Sequence, residues 1–308
     1  MQVAGIREPG GPVEVLDVPD PRPLAADEVL IAVKAAGIGN WDEIVRTGGW
    51  DVGTRPPMAL GVEAAGVITA VGEDAGSFQP GDEVMCHPLQ LRDQGAWAPL
   101  LIAPASSVAR KPASATWEAA AAFPVPALTA EQVLAEALTL SAGETLLVHG
   151  AGGVTGGLLV QLAALRGARV IATCGPGSAS RVRQLGAIEV FDYNDPTWPE
   201  KARHAATGVG IRAAANAARG GAALALTTVA DGGRLATITS DPPAAERGIG
   251  VTNVYVRPDG AQLTRLARIL GEGQLSVAVA SSNGLAEAGS ALAAVAAGEV
   301  SGAAVVIP

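Results

Sequence analysis

The pattern of hydrophobic positions along the chain changes near residue 118. Before that point, short β-branched segments are separated by turns containing Pro and Gly, which predicts a mostly β region. The predicted strands cover residues 13–18, 29–33, 65–71, 83–86 and 100–102. From Trp117 onward, helical spacing predicts helices at 118–122 and 130–138, separated by Phe123-Pro124-Val125-Pro126. This change in periodicity predicts a domain boundary.

After residue 145, short apolar strands alternate with helices. Such βαβαβ alternation predicts a parallel sheet with right-handed crossovers, and therefore an α/β fold. A further strand, a helix, a strand from Leu275, a helix and a final strand complete the chain. The predicted strands are 145–149, 169–173, 189–191, 234–239 and 303–307, and the predicted helices are 158–166, 180–185, 259–270 and 286–296.

Composition and charge add two points to this picture. Hydrophobic residues make up 49% of the 308 residues and charged residues 17%, so the chain can bury a large core in two domains. The formal net charge is −9, which repels phosphate backbones and anionic lipids, and aromatic residues are only 3%. We therefore expect neither a nucleic acid nor a membrane as a partner.

The cysteine content and the first residues indicate a cytoplasmic protein. Cys86 and Cys174 are too few for a disulfide framework or a four-thiolate zinc lobe, which favours a reducing compartment. Residues 1–10 contain Arg7, Glu8 and Pro9, where a secretory signal would need an apolar segment. We read the chain as soluble and not exported.

The segment from His149 to Gly156 predicts a dinucleotide phosphate site. It joins a strand to a helix, and Gly150, Gly153 and Gly156 permit a tight turn and close approach of a pyrophosphate to the amino end of the helix. Counted from Gly150, a strict G-x-G-x-x-G motif would place its third glycine at Thr155, so only a variant of the motif is present. The alternative is a merely structural Gly-rich turn.

The second strand favours NADP(H) over NAD(H). An NAD site usually has an acidic residue at the end of this strand, but the sequence reads Ala172-Thr173-Cys174-Gly175 and the next acid is Glu189. Ser178, Arg181 and Arg183 follow the strand and could bind a 2′-phosphate. The alternative is that the arginines form a solvated helix face.

With the glycine loop, segments spread over nearly the whole chain resemble the zinc-free medium-chain dehydrogenase/reductases, in their quinone oxidoreductase and enoyl reductase branch. The resemblance implies a Rossmann NADP(H)-binding domain at 119–246, a GroES-like, mostly β catalytic domain formed by 1–118 and 247–308, and a homodimer. The segments are Gly10-Gly11-Pro12, 36–42, Arg46-Thr47-Gly48, 61–66, 80–84, Leu128-Thr129-Ala130, Leu185-Gly186-Ala187, Asp192-Tyr193 and 256–259.

By the same resemblance, one set of residues would line NADPH. For Thr129, Ile238 and Asn216 the alternative is packing in the core or in a loop. The expected cofactor-binding residues are Thr129, Gly150, Ala151, Gly152, Gly153, Val154, Thr173, Ser178, Arg181, Tyr193, Asn216, Ile238 and Thr239.

The resemblance also implies that no metal is bound. Zinc-dependent relatives have a histidine ligand where this chain has Val62, and a cysteine ligand where it has Gly37, Gly39 and Asn40. His87 follows Cys86, but two adjacent residues make a poor metal site, so we expect them to pack locally.

Without a metal, hydride addition to an activated acceptor is the reaction most easily supported, since it needs an aligned donor and some stabilisation of the developing enolate charge. We therefore expect reduction of a small-molecule quinone or an α,β-unsaturated carbonyl (enone). The alternatives are a stereospecific enoyl reductase of a polyketide-like pathway and a non-catalytic NADPH-binding structural or sensor protein.

The catalytic residues stay open at this stage. Trp50 stands where related enoyl reductases have a proton-donating tyrosine, and an indole N–H cannot deliver a proton at neutral pH. The proton could come from water, from the substrate, or from Asp42, Asp51 or Tyr255, while Asp42 could equally be a structural acceptor. The expected substrate cleft is lined by Asn40, Trp41, Trp50 and Trp97, for which ordinary core packing is the alternative.

Overall fold

The computed structural model describes residues 1–308, and they divide into two compact units. The first comprises Met1–Val125 and Arg257–Pro308, and the second comprises Pro126–Val256. Both chain ends thus belong to one unit, whereas the other is a single continuous stretch.

The first 125 residues are mostly strands joined by turns. Their longest strand, β3, is largely buried along its length, as a strand covered on both faces should be. The elements are β1 Gln2–Ile6, β2 Glu14–Asp17, β3 Glu28–Ile38, α1 Asn40–Arg46, β4 Met58–Ala59, β5 Ala64–Val71, β6 Glu83–Cys86, β7 Leu100–Pro104, β8 Val108–Arg110 and α2 Trp117–Ala121.

From Pro124 to Asn253, helices and strands alternate. The elements are α3 Pro124–Gln132, followed by a π-helical turn Val133–Ala137, then β9 Thr145–His149, α4 Val154–Leu165, β10 Arg169–Cys174, α5 Ala179–Gln184, β11 Glu189–Asp192, α6 Trp198–Ala205, β12 Ile211–Asn216, α7 Ala222–Leu226, β13 Val229–Thr237 and β14 Gly250–Asn253.

The last 52 residues return to the first unit. Asp259 caps the first helix of this segment, since its side chain accepts from the amide of Gln262. The elements are α8 Gly260–Gly271, β15 Val279–Gly284, α9 Ala288–Ala297 and β16 Ala303–Ile307.

The first unit contains two sheets. A small antiparallel sheet has the order β2-β1-β4, and a seven-stranded sheet has the order β15-β16-β3-β5-β6-β8, with β7 also pairing with β3. Strand β16 pairs antiparallel with β3, so that Val305 lies opposite Gly37. The last strand of the chain therefore pairs within a sheet whose other strands come mainly from the first third of the chain.

The second unit is built on one parallel sheet with the strand order β11-β10-β9-β12-β13-β14. All its strand pairs are parallel. Its core contains Trp198, Leu147 and Ile171, each fully buried. The fold is therefore α/β, with a Rossmann-type sheet, as the sequence predicted. No helix combines the length and the apolar composition needed to cross a lipid bilayer.

The unit boundaries lie further along the chain than the predicted ones at 118/119 and 246/247. Helix α2 contacts β3 and β5 and so belongs to the first unit. Residues 250–253 form the edge strand of the parallel sheet, where β14 pairs with β13. Contacts in the folded chain therefore place the boundaries at 125/126 and 256/257.

Several elements differ from the sequence prediction. The segment Phe123-Pro124-Val125-Pro126 does not separate two helices, because Pro124 begins α3. Proline is tolerated in the first turn, where backbone N–H groups lack helical partners. Strand β15 starts at Val279 rather than Leu275. The elements that the sequence prediction lacked include β1, α1, α6, β12, α7 and β14.

Candidate functional site

The loop between β9 and α4 forms a cradle of exposed backbone groups. Gly150 has φ +90°, and a Cβ there would lie 2.8 Å from the nitrogen of Ala218. A Cβ on Gly156 would overlap the carbonyl of Gly150, whereas one on Gly153 would meet only that carbonyl oxygen, at 3.9 Å. Gly153 is the N-cap of α4 and has no side chain to bond its first amides. These amides are available to an anion at the positive end of the helix dipole.

The sheet topology puts this loop where a dinucleotide binds. From the middle of the sheet, β9, β10 and β11 follow one another toward one edge, and β12, β13 and β14 follow one another toward the other edge. The strand order therefore reverses between β9 and β12. In open parallel sheets, ligands bind at the carboxyl ends of the strands at such a reversal. The glycine cradle and the strand order therefore both fit a nicotinamide dinucleotide.

A row of polar residues crosses the carboxyl ends of the strands. His149 lies beside Thr173 on one side and Asn216 on the other, and Thr237 and Asn253 continue the row. The sequence prediction included Thr173 and Asn216 in this set but not the other three. For His149 and Thr237 the signal that could have found them is a polar residue at the end of a buried apolar segment, whereas Asn253 ends a short, partly exposed edge strand that lacks this signal.

His149 and Thr173 fix the start of the glycine loop. The Nδ1 atom of His149 is 2.5 Å from Oγ1 of Thr173, which also accepts from the amide of Gly150 at 3.2 Å. The imidazole stacks on the indole of Trp198, with ring centroids 4.9 Å apart. Burial lowers the pKa of His149 to about 4, although the charge of Asp241 acts in the opposite direction. The imidazole is therefore neutral at pH 7.

Arg181 is bonded to the loop itself. Its Nη2 donates to the carbonyl oxygen of Gly152 at 2.7 Å and approaches Oγ of Ser178 at 3.4 Å. Arg183, two residues further along α5, is exposed. Both arginines act electrostatically on Cys174, the last residue of β10, whose thiol pKa is raised by burial. The two cations thus lie near the strand end at which the 2′-phosphate of NADP(H) is expected.

One carboxylate also lies at this strand end. Asp192 is paired in register with Cys174, on the neighbouring strand β11. Its Oδ1 accepts from both the backbone amide and the side-chain amide of Asn194, at 2.9 Å each. The sequence argument considered only acids on β10 and up to Glu189, so it missed a carboxylate that the sheet brings alongside.

Of the other expected cofactor residues, three follow strands of the same sheet and one lies in a helix. Tyr193 follows β11, is 52% exposed, and lies over Gly175. Ile238 and Thr239 follow β13, and Thr129 is a buried residue of α3.

Asp241 organises the ends of β12 and β13 and was missed by the sequence analysis. Its Oδ1 accepts from the hydroxyls of Thr237 at 2.8 Å and Thr239 at 2.5 Å. Its Oδ2 accepts from the amide of Ala222 at 3.3 Å. The side-chain amide of Asn216 donates to both threonine hydroxyls, at 3.0 and 2.9 Å. This Asp241 network consists of Asn216, Thr237, Thr239 and Asp241.

The first unit contains a second group of carboxyls, which is fully enclosed. Asp42 is 0% exposed, and its Oδ2 accepts from the amide of Gly39 at 2.8 Å. Burial raises the pKa of Asp42 to about 8, against the effect of hydrogen bonds from Gly39 and Gly61. Glu63 is 1% exposed and accepts from the amide of Val125 at 2.8 Å. Burial also raises the pKa of Glu63 well above its usual range.

Cys86 and His87 lie next to this buried carboxyl group. His87 is 0% exposed, and its Nδ1 lies 2.7 Å from the carbonyl oxygen of Val62. Burial lowers the pKa of His87 to about 4 and raises that of Cys86 to about 12. No three His, Cys, Asp or Glu side chains are grouped so that they could hold a metal ion. Nδ1 of His87 thus contacts the backbone, whereas its buried Nε2 has no hydrogen-bond partner, and the expected local packing of His87 stays a prediction.

The expected substrate and catalytic residues fall into two classes. Trp97 is 0% exposed and donates through Nε1 to the carbonyl of Gly37 at 2.9 Å, so it is a core residue. The expectation that Trp97 lines an open cleft is therefore corrected. Asp42 is likewise enclosed and bonded to the N-cap of α1, which supports its alternative role as a structural acceptor.

The remaining candidates reach the surface. Asn40 and Asp51 are exposed, Trp41 and Trp50 are partly buried, and Tyr255 is 71% exposed. Asp51 accepts from the amide of Gly53 and pairs with Arg55 at 3.1 Å. Asp51 belongs to the first unit and Tyr255 to the second, and the catalytic roles of both stay predictions.

Two family models match separate parts of the chain. Residues 25–113 match the alcohol dehydrogenase GroES-like domain, and residues 185–306 match the zinc-binding dehydrogenase family.

Among curated proteins, the mouse quinone oxidoreductase is 32% identical over 206 residues, which are 65% of this chain and 61% of that protein. Erythronolide synthase EryA2 of Saccharopolyspora erythraea is 35% identical over 202 residues, 65% of this chain but 5% of that synthase. The matched segments thus span less than two thirds of these relatives.

Among solved structures, a mycobacterial protein complexed with NADPH is 28% identical, with a TM-score of 0.88 and full coverage of both chains. A structure described as an NAD-dependent alcohol dehydrogenase has the same identity, TM-score and coverage. Both coenzymes therefore occur among structures of this fold.

Proposed function

Because the chain belongs to the medium-chain dehydrogenase/reductases, in the quinone oxidoreductase and enoyl reductase branch, we propose that it is an NADPH-dependent reductase of quinones or α,β-unsaturated carbonyls. Membership of this branch makes the chain an oxidoreductase. The observation that carries the choice of coenzyme is the pair Arg181 and Arg183 behind β10, a strand that ends without a carboxylate of its own.

The residues of the second unit would hold the coenzyme by its phosphates. The amides at the start of α4 bind the pyrophosphate, and His149 with Thr173 keeps Gly150 in place. Arg181 braces the loop through Gly152, which leaves the exposed Arg183 and Ser178 to face a 2′-phosphate. When bound, the coenzyme supplies a hydride, which adds to the electron-poor carbon of the acceptor, and a proton completes the reduction.

We also propose that the reaction needs no metal. Val62 stands where zinc-dependent relatives have a histidine ligand, and no three His, Cys, Asp or Glu side chains are grouped so that they could hold a metal ion. Turnover of a purified sample should therefore be unchanged after dialysis against a chelator and should not rise when zinc is added. A loss of activity that zinc restores would contradict this part of the proposal.

The coenzyme choice is tested by binding NADPH and NADH to the wild type and to Arg183→Ala. We expect the wild type to prefer NADPH, and the variant to lose about tenfold in NADPH affinity, because one charged hydrogen bond contributes about 1.5 kcal/mol. NADH affinity should not change. Arg169→Ala is the matched control, since Arg169 is an exposed arginine at the opposite end of β10. Equal wild-type affinity for NADH would overturn the proposed selectivity.

The match to EryA2, a polyketide synthase, favours a second function, stereospecific enoyl reduction. A panel of naphthoquinones and aryl or alkyl enones separates the two functions. One product enantiomer from a prochiral enone indicates enoyl reduction, whereas quinone turnover with a semiquinone signal indicates quinone reduction. Tight NADPH binding without turnover of any acceptor would point to a sensor instead.

The homodimer stays a prediction that rests on the family. Light scattering coupled to size exclusion should give twice the mass of the 30.7 kDa chain.

A further inference from the structure

Asp241 is a charged carboxylate with no cation beside it. Burial alone would raise its pKa, but hydrogen bonds from Thr239 and Thr237 lower the pKa below the ordinary value, so the group is ionised at pH 7. Its contacts are two hydroxyls, one backbone amide and the side-chain amide of Asn216, which is 3.5 Å from Oδ1. The nearby titratable group is His149, which is neutral. The negative charge is therefore not neutralised by the protein.

The position of this charge is fixed by its surroundings. Thr237 ends β13, and Ser240, between Thr239 and Asp241, has φ +58°, a conformation that a non-glycine residue rarely adopts. Non-glycine residues persist in this region only where surrounding contacts hold them. Four hydrogen bonds to the Asp241 carboxylate do so here. The group is thus pre-organised at the carboxyl edge of the sheet.

The topology indicates which half of a dinucleotide meets Asp241. The pyrophosphate site at β9 divides the sheet edge, with Arg181 and Arg183 beyond β10 on one side. In this strand order the adenosine half lies on the side of the second strand. Asp241 follows β13, on the other side, and its network reaches β12 through Asn216. The nicotinamide half therefore lies on the side of Asp241.

The charge of the nicotinamide ring depends on its redox state. The phosphates of the coenzyme are anionic in both forms and would be repelled by an uncompensated carboxylate. The ring is neutral in NADPH and carries one positive charge in NADP⁺. An ionised group on this side of the sheet therefore distinguishes the two redox forms by Coulomb interaction.

Building on the proposed function, we propose that Asp241 is a positioning residue whose carboxylate, held by Thr237 and Thr239, favours the oxidised nicotinamide ring and so assists hydride donation. The hydride and its two electrons pass to the acceptor carbon, and the positive charge left on the ring is the charge that Asp241 stabilises. The charge difference between the oxidised and reduced rings is the same with or without a 2′-phosphate.

The test is equilibrium binding of NADP⁺ and of NADPH, measured by calorimetry, to the wild type, Asp241→Asn and Asp231→Asn. We expect Asp241→Asn to weaken NADP⁺ binding about three- to tenfold and NADPH binding less than about twofold, because a single charge acts through a partly aqueous medium. Asp231 is the matched control: its side chain is 77% exposed near the start of β13, so the substitution removes the same charge at the opposite edge.

The outcomes separate the inference from the function on which it rests. If Asp241→Asn lowers the affinities for NADP⁺ and NADPH equally, or changes neither, the carboxylate does not distinguish the two redox forms. The inference is then overturned. If Asp241→Asn is unfolded at the temperature of the assay, the same comparison is made with Asp241→Ser. If the wild type binds neither NADP(H) nor NAD(H), the proposed function falls, whereas an unchanged ratio in a coenzyme-binding protein contradicts the inference alone.

Discussion

Carboxyl groups occur in two contrasting settings, the Asp241 network of the second unit and the Asp42 and Glu63 pair of the first. Asp241 is partly exposed and receives hydroxyl and amide hydrogen bonds, which keep it charged. Asp42 and Glu63 are enclosed, and burial raises the pKa of both, that of Asp42 to about 8. The pKa of a carboxyl group is thus shifted in opposite directions at two places in one chain.

Two differences account for this contrast. Asp241 accepts from two hydroxyls as well as from the amide of Ala222, whereas the donors to Asp42 are backbone amides, among them that of Gly39. Access to water differs, and removing a carboxylate from water costs more free energy than one or two neutral donors return. A protonated Asp42 is therefore part of a core, whereas an ionised Asp241 is available to a ligand.

The largest expected effect is the loss of stability as pH rises through the titration range of Asp42. Its native pKa of about 8 lies above the ordinary value of 3.8, so between these values the native state holds a proton that the unfolded chain has released. Stability then falls with rising pH, by up to about 1.4 kcal/mol per pH unit for this group. Urea unfolding from pH 5 to 8 should show a shallower slope in Asp42→Asn.

The matched control for that measurement is Asp74→Asn, since Asp74 is exposed on a loop of the same unit. Its slope should follow the wild type. If Asp42→Asn and the wild type lost stability in parallel, Asp42 would not be the buried acid that the structure indicates.

Next in size is the effect of truncating Glu63. Its Oε2 accepts from Val125, and its Oε1 lies so close to Gly37 that a Cβ there would overlap it. Glu63→Ala should therefore lower the free energy of unfolding by about 3 kcal/mol, through the cavity and the lost acceptor. Glu63→Gln keeps the volume and an acceptor oxygen, so its cost should be about 1 kcal/mol or less. A loss in Glu63→Ala as small as that in Glu63→Gln would show that packing around Glu63 is loose.

The smallest effect is expected for Thr239→Val, and its pH dependence should have the opposite sign. The lowered pKa of Asp241 means that its stabilising contribution is present above the ordinary value of 3.8 and is lost as pH falls through the native value. Removing one donor should cost about 1 kcal/mol at pH 7 and less below about pH 4. Denaturant titrations at both pH values check this, and a cost that does not change with pH would contradict it.

Much of the second unit could be predicted from the sequence, because buried parallel strands and glycine turns leave local patterns. The strands 145–149 and 169–173 are short-range features that the run of apolar residues marks directly. Strand β12 was not predicted because three of the six residues of Ile211–Asn216 are alanine. Alanine has low strand propensity and occupies a strand here because the sheet buries it. Tertiary burial, not local preference, decides its conformation.

The candidate site was predictable where one loop carries it and not where the sheet assembles it. The glycine cradle lies within eight consecutive residues, so the sequence predicted it. Asp192 comes to Cys174, and Asp241 to Asn216, only through strand pairing and the turn at Ser240. Trp97 was misread because its exposure depends on Gly61, over which the indole packs. Proximity between residues distant in sequence has no local signature.

The position of β16 between β15 and β3 sets an order for folding during synthesis. Residues 126–256 are contiguous, so all six strands of the parallel sheet can pair before residue 303 has left the ribosome. The seven-stranded sheet lacks an interior member until residues 303–307 arrive, and until then the Ala36–Ile38 end of β3, beyond its pairing with β7, has one edge unpaired. Since such an edge can pair with other chains, truncation before residue 303 should produce an aggregating polypeptide whose parallel sheet is already formed.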